Sequence, residues 1–188
     1  MSNPSLTSII RENSKKYGSR NAIFYQGSDK QWIPITWAGF WKSIEDTANA
    51  LLANGVKPGD RVAIMSRNMP EWTISDYAIQ LVRAVSVPLF SSTSPAQAEY
   101  MLNETETVLL LVGEQEQYDI AKQIAHKIPS LHTVIAFDAS VKFENGINSL
   151  FFSDFVASGQ KGNYAEQLTV LANEASNTDL CTILYTSG

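Results

Sequence analysis

Between Arg61 and Phe137, short unbroken apolar runs alternate with segments of helical periodicity, and no other feature of the sequence limits the fold as tightly. The runs are Val62-Ala63-Ile64-Met65, Val85 to Phe90, Val108 to Val112 and Thr133 to Phe137. A strand that is apolar at consecutive positions buries both faces, so it needs a cover on each side of its sheet. The intervening segments supply that cover. Asn68 and Glu71 have capping-box spacing around Pro70, and the apolar residues from Trp72 to Val82 spread round most of the helix that follows. Ser94, Pro95 and Gln97 open a second helix, and Gln115 to Lys127 reads as a third. The expected fold class is α/β, a parallel sheet flanked by helices and built from right-handed crossovers.

Residues 1–60 precede these repeats. Leu6, Ile9 and Ile10 have helical spacing between Ser5 and Tyr17, with Gly18 placed to end the helix. Ala22 to Tyr25 and Gln31 to Ile35, separated by Gly27-Ser28-Asp29, read as a hairpin giving a small antiparallel edge. Trp37, Phe40, Trp41, Ile44, Ala48, Leu51 and Leu52 then share one helical face, opposite Lys42, Glu45, Asp46 and Asn49. Asn54-Gly55 ends that helix and Pro58-Gly59 turns the chain. Residues 61–138 carry the βα repeats. Residues 139–178 read as mixed helix and loop, with a plausible boundary between Asn145 and Asn177 where the chain could pass from one sheet to another. Residues 179–188 read as one more strand followed by the small-residue run Thr186-Ser187-Gly188.

The formal net charge of -5, with no basic cluster longer than Lys15-Lys16, argues against nucleic acid as a partner. A lone cysteine, Cys181, has no intrachain disulfide partner, and its apolar neighbours suggest a small buried hydrophobe. Neither a leader segment nor a run of 18 apolar residues is evident, which points to a cytoplasmic protein; peripheral attachment to a membrane surface stays open.

In an open α/β sheet, ligands bind beyond the carboxyl ends of the strands, so Thr186-Ser187-Gly188 is the first place to look for phosphate binding. Hydroxyls and successive backbone N–H groups in a tight turn form an anion-binding concavity. Taken alone, the three residues read more readily as a plain turn after a strand. Other tempting residues have structural explanations: His126 near a helix end, His132 at a turn-to-strand junction, and Glu104, Glu106, Glu116 and Asp119 as solvated charges. Trp72 and Tyr185 read as packing residues. Ser91-Ser92-Thr93 joins a strand to a capped helix and could line a cleft beyond Phe90.

Several segments carry a family likeness. They are Gly55-Val56-Lys57-Pro58-Gly59-Asp60-Arg61-Val62-Ala63-Ile64, Asn68-Met69-Pro70-Glu71-Trp72, Ala84-Val85-Ser86-Val87-Pro88-Leu89, and Ser94-Pro95 leading to Glu99-Tyr100. Val112-Gly113-Glu114-Gln115-Glu116-Gln117-Tyr118 and Asp179 through Gly188 complete the set. In this order and spacing they resemble the AMP-forming acyl-CoA synthetases, and the Val112 to Tyr118 segment is most like the long-chain fatty acid–CoA ligase branch. The wider adenylate-forming superfamily also holds luciferases and peptide-synthetase adenylation domains.

The resemblance implies that residues 1–188 are the amino-terminal part of an AMP-binding domain, with Rossmann-like layers and an incomplete core. It implies a full-length enzyme that uses ATP, Mg2+ and coenzyme A to convert a fatty acid to acyl-CoA, AMP and pyrophosphate through an acyl-adenylate. It assigns Thr186, Ser187 and Gly188 to the β- and γ-phosphates of ATP, no catalytic residue and no metal ligand. The family's further loop residues, its adenine and ribose motifs and its carboxyl-terminal domain with a catalytic lysine do not occur in this sequence. The expectation is therefore an inactive fragment that binds no cofactor alone and whose exposed apolar face favours a homodimer. Were Gly188 the chain end, its ionised α-carboxylate would oppose phosphate. Two other readings remain: a stand-alone α/β binding or scaffold module without nucleotide chemistry, and a dinucleotide-binding domain, which lacks a Gly-x-Gly-x-x-Gly turn here.

Overall fold

The computed structural model describes residues 5–27 and 29–186, so Ser28 of the expected turn and Ser187 and Gly188 of the expected loop lie outside the described residues. Helix α1 (Leu6–Tyr17) starts where Ser5 Oγ accepts the Ser8 N–H at 3.2 Å. Strands β1 (Asn21–Gln26) and β2 (Trp32–Thr36) pair antiparallel as the hairpin, which forms a two-stranded sheet of its own. Thr36 caps α2 (Trp37–Ala53), whose apolar stripe buries Phe40, Ile44, Ala48 and Leu51. Its end is a Schellman turn: Gly55 at φ 82° lets the Gly55 and Val56 N–H groups reach back to the Leu52 and Leu51 carbonyls at 3.0 Å.

Five parallel strands follow: β3 (Arg61–Met65), β4 (Val85–Leu89), β5 (Leu109–Val112), β6 (Thr133–Ala136) and β7 (Ser149–Phe151). Their spatial order is β4-β3-β5-β6-β7. The connecting helices are α3 (Pro70–Leu81), α4 (Pro95–Glu104) and α5 (Gln115–Ala125), with α6 (Phe152–Gly159) and α7 (Ala165–Glu174) after β7.

The continuous apolar runs divide residue by residue between two cores. Val62, Ile64, Leu109, Leu111 and Ile135 face one layer with Ile44, Leu51, Ile79 and Phe155. Ala63, Met65, Leu110, Val112, Val134 and Ala136 face the other with Leu102, Tyr118 and Ile124. Alternation along a strand thus serves two apolar layers, which is why the sequence shows no polar period. Each fully buried aliphatic side chain in these layers contributes about 1.5–3 kcal/mol. Among the described residues, no helix is long and apolar enough to cross a membrane.

Two local expectations need correction. Residues 139–178 are not only helix and loop: β7 joins the same parallel sheet beside β6, and three residues are too few to display a period. The α3 start has Met69, not Asn68, at the N-cap, with no side-chain cap, because Pro70 at the first turn already removes one unpaired N–H. Conversely, the Ser94/Gln97 capping box forms, and a second one, Glu114/Gln117, opens α5.

Candidate functional site

The site expected from sequence begins where the chain leaves α7 and returns to the sheet. Residues 179–186 run along the free edge of β4, and the contact is parallel: Thr182 is bridged to Ser86. Ser86 N–H donates to the Cys181 carbonyl at 3.0 Å, and Ile183 N–H donates to the Ser86 carbonyl at 2.9 Å. The expected full strand is therefore one bridge. The reason lies in β4. Val85 N–H points toward β3, to the Asp60 carbonyl, so residues 86 and 88 present their backbone groups to the outer edge. Residue 88 is proline and has no N–H to offer Ile183, so the ladder stops after one repeat.

Side chains hold what the backbone does not. Arg83, in the turn between α3 and β4, makes a fork to Asp179, Nε to Oδ2 at 2.9 Å and Nη2 to Oδ1 at 3.3 Å, and reaches Glu174 with Nη1 at 3.0 Å. Asp179 Oδ2 also accepts the Ser176 N–H at 3.2 Å. At the other end, Tyr185 donates its hydroxyl to Glu104 Oε2 at 2.7 Å and sets its ring edge-on to Tyr100, 6.4 Å between centroids. Ile183 and Tyr185 pack on the α4/α5 core, while Leu180 and Leu184 are exposed.

Of the site residues expected from sequence, Thr186 is exposed directly after this clamp. Tyr185 packs as expected. Cys181 is exposed, against the reading of a buried hydrophobe, because no further strand covers the outer side of the segment among the described residues. Glu104 is not merely a solvated charge; it accepts the Tyr185 hydroxyl, and only the fold brings it to a residue 81 positions away.

The charges at the two ends respond to opposite extremes of pH. The Arg83 fork, then the Ser176 N–H, holds the Asp179 carboxyl below the usual carboxylate range. Its contribution is present above that range and is lost as acid protonates it. Burial, then the Glu104 bond, pushes the Tyr185 phenol up to about 12. That contribution is complete below the unfolded phenol value of about 10 and disappears as pH rises through the folded value. The phenolate absorbance difference between the protein and its Tyr185→Phe variant is expected to have its midpoint near 12. A midpoint at the unperturbed value would show that Tyr185 does not dock on α4.

The crevice between β3 and β5, where the strand order reverses, is the other general ligand position of such sheets. Here it is filled. A Cβ on Gly113 would lie 2.6 Å from Ser66 Oγ, Arg67 Nε pairs with Glu114 Oε1 at 3.0 Å, and Gln117 donates to the Ser91 carbonyl at 3.0 Å. The Ser91 backbone is thus tied to α5. A groove of about 790 Å³ lies between the hairpin and the start of α3, with exposed Phe24 and Trp32 on its wall.

The family model described as AMP-binding enzyme matches residues 10–188. Long-chain-fatty-acid–CoA ligase FadD15 of Mycobacterium bovis is 31% identical over 166 residues, covering 88% of this chain and 26% of the relative. Long chain acyl-CoA synthetase 2 of Arabidopsis thaliana is 30% identical over 193 residues, covering 96% of this chain and 28% of the relative. The chain therefore spans about a quarter of the length of the curated relatives it matches. Among solved structures, the anthranilate CoA ligase AuaEII in complex with anthranoyl-AMP superposes with a TM-score of 0.79 at 22% identity, over 97% of this chain and 32% of that one. Coronafacic acid ligase from Pectobacterium brasiliense gives 0.75 at 17% identity, over 95% and 33%. At these identities the two structures speak for the fold.

Proposed function

The chain belongs to the AMP-binding enzyme family, and from that membership we propose that it forms the amino-terminal part of a long-chain fatty acid–CoA ligase. In the proposed reaction, a fatty carboxylate oxygen attacks the α-phosphorus of ATP and the bond to pyrophosphate breaks. The coenzyme A sulfur then attacks the acyl carbon of the adenylate, and AMP leaves. Residues 1–188 contribute the first layers of the AMP-binding domain and the start of its phosphate loop.

The supporting observation is that a segment matched to the family through its last residue lies parallel to β4 and is heading, at Thr186, toward the rim where the strands end. Loop hydroxyls and N–H groups there would donate to the β- and γ-phosphates and hold the leaving pyrophosphate in line. In this proposal Thr186, Ser187 and Gly188 bind the nucleotide and do not themselves make or break bonds. Among the described residues, no group of three or more His, Cys, Asp or Glu side chains is arranged to hold a metal ion, and Glu104 is engaged by Tyr185. No step is assigned through that ion.

The 188 residues alone are proposed to be inactive. The test is ATP–pyrophosphate exchange by the full reading frame that contains them, across a chain-length series of fatty acids. Exchange that requires a long-chain carboxylate is expected. A folded full-length protein that exchanges with no carboxylate removes the assignment, and exchange by the 188 residues alone removes the inactivity.

A further inference from the structure

We infer that Arg83 and Glu104 are positioning residues for the nucleotide-binding loop, acting through Asp179 and Tyr185 to pin the two ends of the lead-in segment across the β4 edge. The inference rests on the proposed function and extends it to residues outside the loop.

A lead-in strand embedded in a sheet would be aimed by its ladder. This one has a single bridge, because Pro88 cannot continue the pairing. Its direction is therefore left to side chains, and two independent contacts supply it. The Arg83–Asp179 fork fixes both position and plane, since a guanidinium meeting a carboxylate through two N–H groups cannot swivel as a single bond can. The Tyr185–Glu104 bond, with the Tyr100 ring beside it, fixes the residue next to Thr186.

Arg83 also occupies the backbone conformation that favours glycine, with φ 59°. A non-glycine side chain there is disfavoured, so nothing local to the turn calls for arginine. What the arginine does is reach Asp179 and Glu174, 96 and 91 positions along the chain. An arginine in this backbone conformation, with its guanidinium forked onto Asp179 of the lead-in segment and bonded to Glu174 of α7, points to a role beyond the turn.

The backbone conformation also provides a variant that separates positioning from folding. Arg83→Gly removes the fork but relaxes the turn, so a stabilising contact and a backbone strain are lost together and the net change in melting temperature should be small. In the full reading frame, the apparent KM for ATP in pyrophosphate exchange is expected to rise about tenfold, with kcat changed much less, because a loosely aimed loop must be ordered when nucleotide binds. The Ile183 amide, bonded to Ser86, should exchange hydrogen faster in the same variant. Tyr185→Phe should raise the ATP KM as well, and combining the two should raise it further. Exchanging the partners, Arg83→Asp with Asp179→Arg, should recover part of the loss that either single change causes. Unchanged ATP KM in both Arg83→Gly and Tyr185→Phe, in a protein whose unsubstituted form exchanges pyrophosphate, overturns the inference and spares the function. A raised KM accompanied by a large fall in both kcat and melting temperature in Arg83→Gly also overturns it, by making the arginine a structural residue. An unsubstituted protein that folds and exchanges nothing overturns the function itself, and the positioning role with it.

Discussion

Gly159→Val is expected to destabilise the protein by about 3 kcal/mol, a fall in melting temperature of roughly 6–12 °C for a domain of this size. Gly159 closes α6 and is buried against α2. A Cβ built there would lie 2.5 Å from the Ala50 N and 2.8 Å from the Ala50 Cα. These are backbone atoms in the last turn of α2, so they cannot swing aside as a side-chain tip would. The sign is informative because the ordinary expectation runs the other way: alanine is better than glycine inside a helix by about 1 kcal/mol. Gly159→Ala sets that gain against a clash costing about 1–3 kcal/mol, and a net loss is expected. Thermal unfolding of both variants checks it. A melting temperature raised by Gly159→Ala would mean that α6 and α2 do not touch here.

The layers were legible in the sequence because burial on both faces leaves a mark that chance seldom makes. Val62 to Met65 and Val108 to Val112 are apolar at every position, and the structure divides them between two separate cores, burying all but the half-buried Val108. Ser94 and Gln97 announced their helix by chemistry that is local to four residues. What stayed hidden was set by partners far away in the chain. Residues 149–151 are a strand only because β6 offers them an edge, and nothing within three residues records that. Strand order was likewise invisible, since β3, β5 and β6 are all short and almost wholly buried and nothing within them names a neighbour.

The candidate site divides in the same way. A strand leading into Thr186 was foreseen, yet its place on the β4 edge and its reduction to one bridge depend on Ser86 and Pro88 lying opposite it. That proline was visible in the sequence, but its consequence needed the register. Arg83 carried no signal either: it looks like any charge after a helix until its positive φ and its reach to Asp179 are seen together. Glu104 gained its meaning in the same manner, from a tyrosine that the fold lays along α4.

Tyr118→Ala is expected to cost about 3–5 kcal/mol, the range for deleting a buried aromatic side chain. Tyr118 is fully buried, and its hydroxyl accepts the Glu144 N–H at 3.0 Å. Its ring lies 5.3 Å from that of Phe143, which stacks on Phe151 of β7 at 4.4 Å. Tyr118 therefore supports the crossing that delivers β7 to the sheet, which explains in structural terms a residue whose sequence context resembles the long-chain branch. The damage should be graded along that chain of contacts. Val134, whose N–H donates to the Asn148 carbonyl at 3.0 Å, should lose its protection from hydrogen exchange first. Ile64, at the centre of the sheet, should exchange only with global unfolding. Tyr118→Phe keeps the ring and removes only the hydroxyl, so it should cost about 1–2 kcal/mol and speed exchange at Glu144. Equal losses in the two variants would place the whole effect in the hydroxyl, and the aromatic ladder from Tyr118 to Phe151 would then carry none of the stability assigned to it.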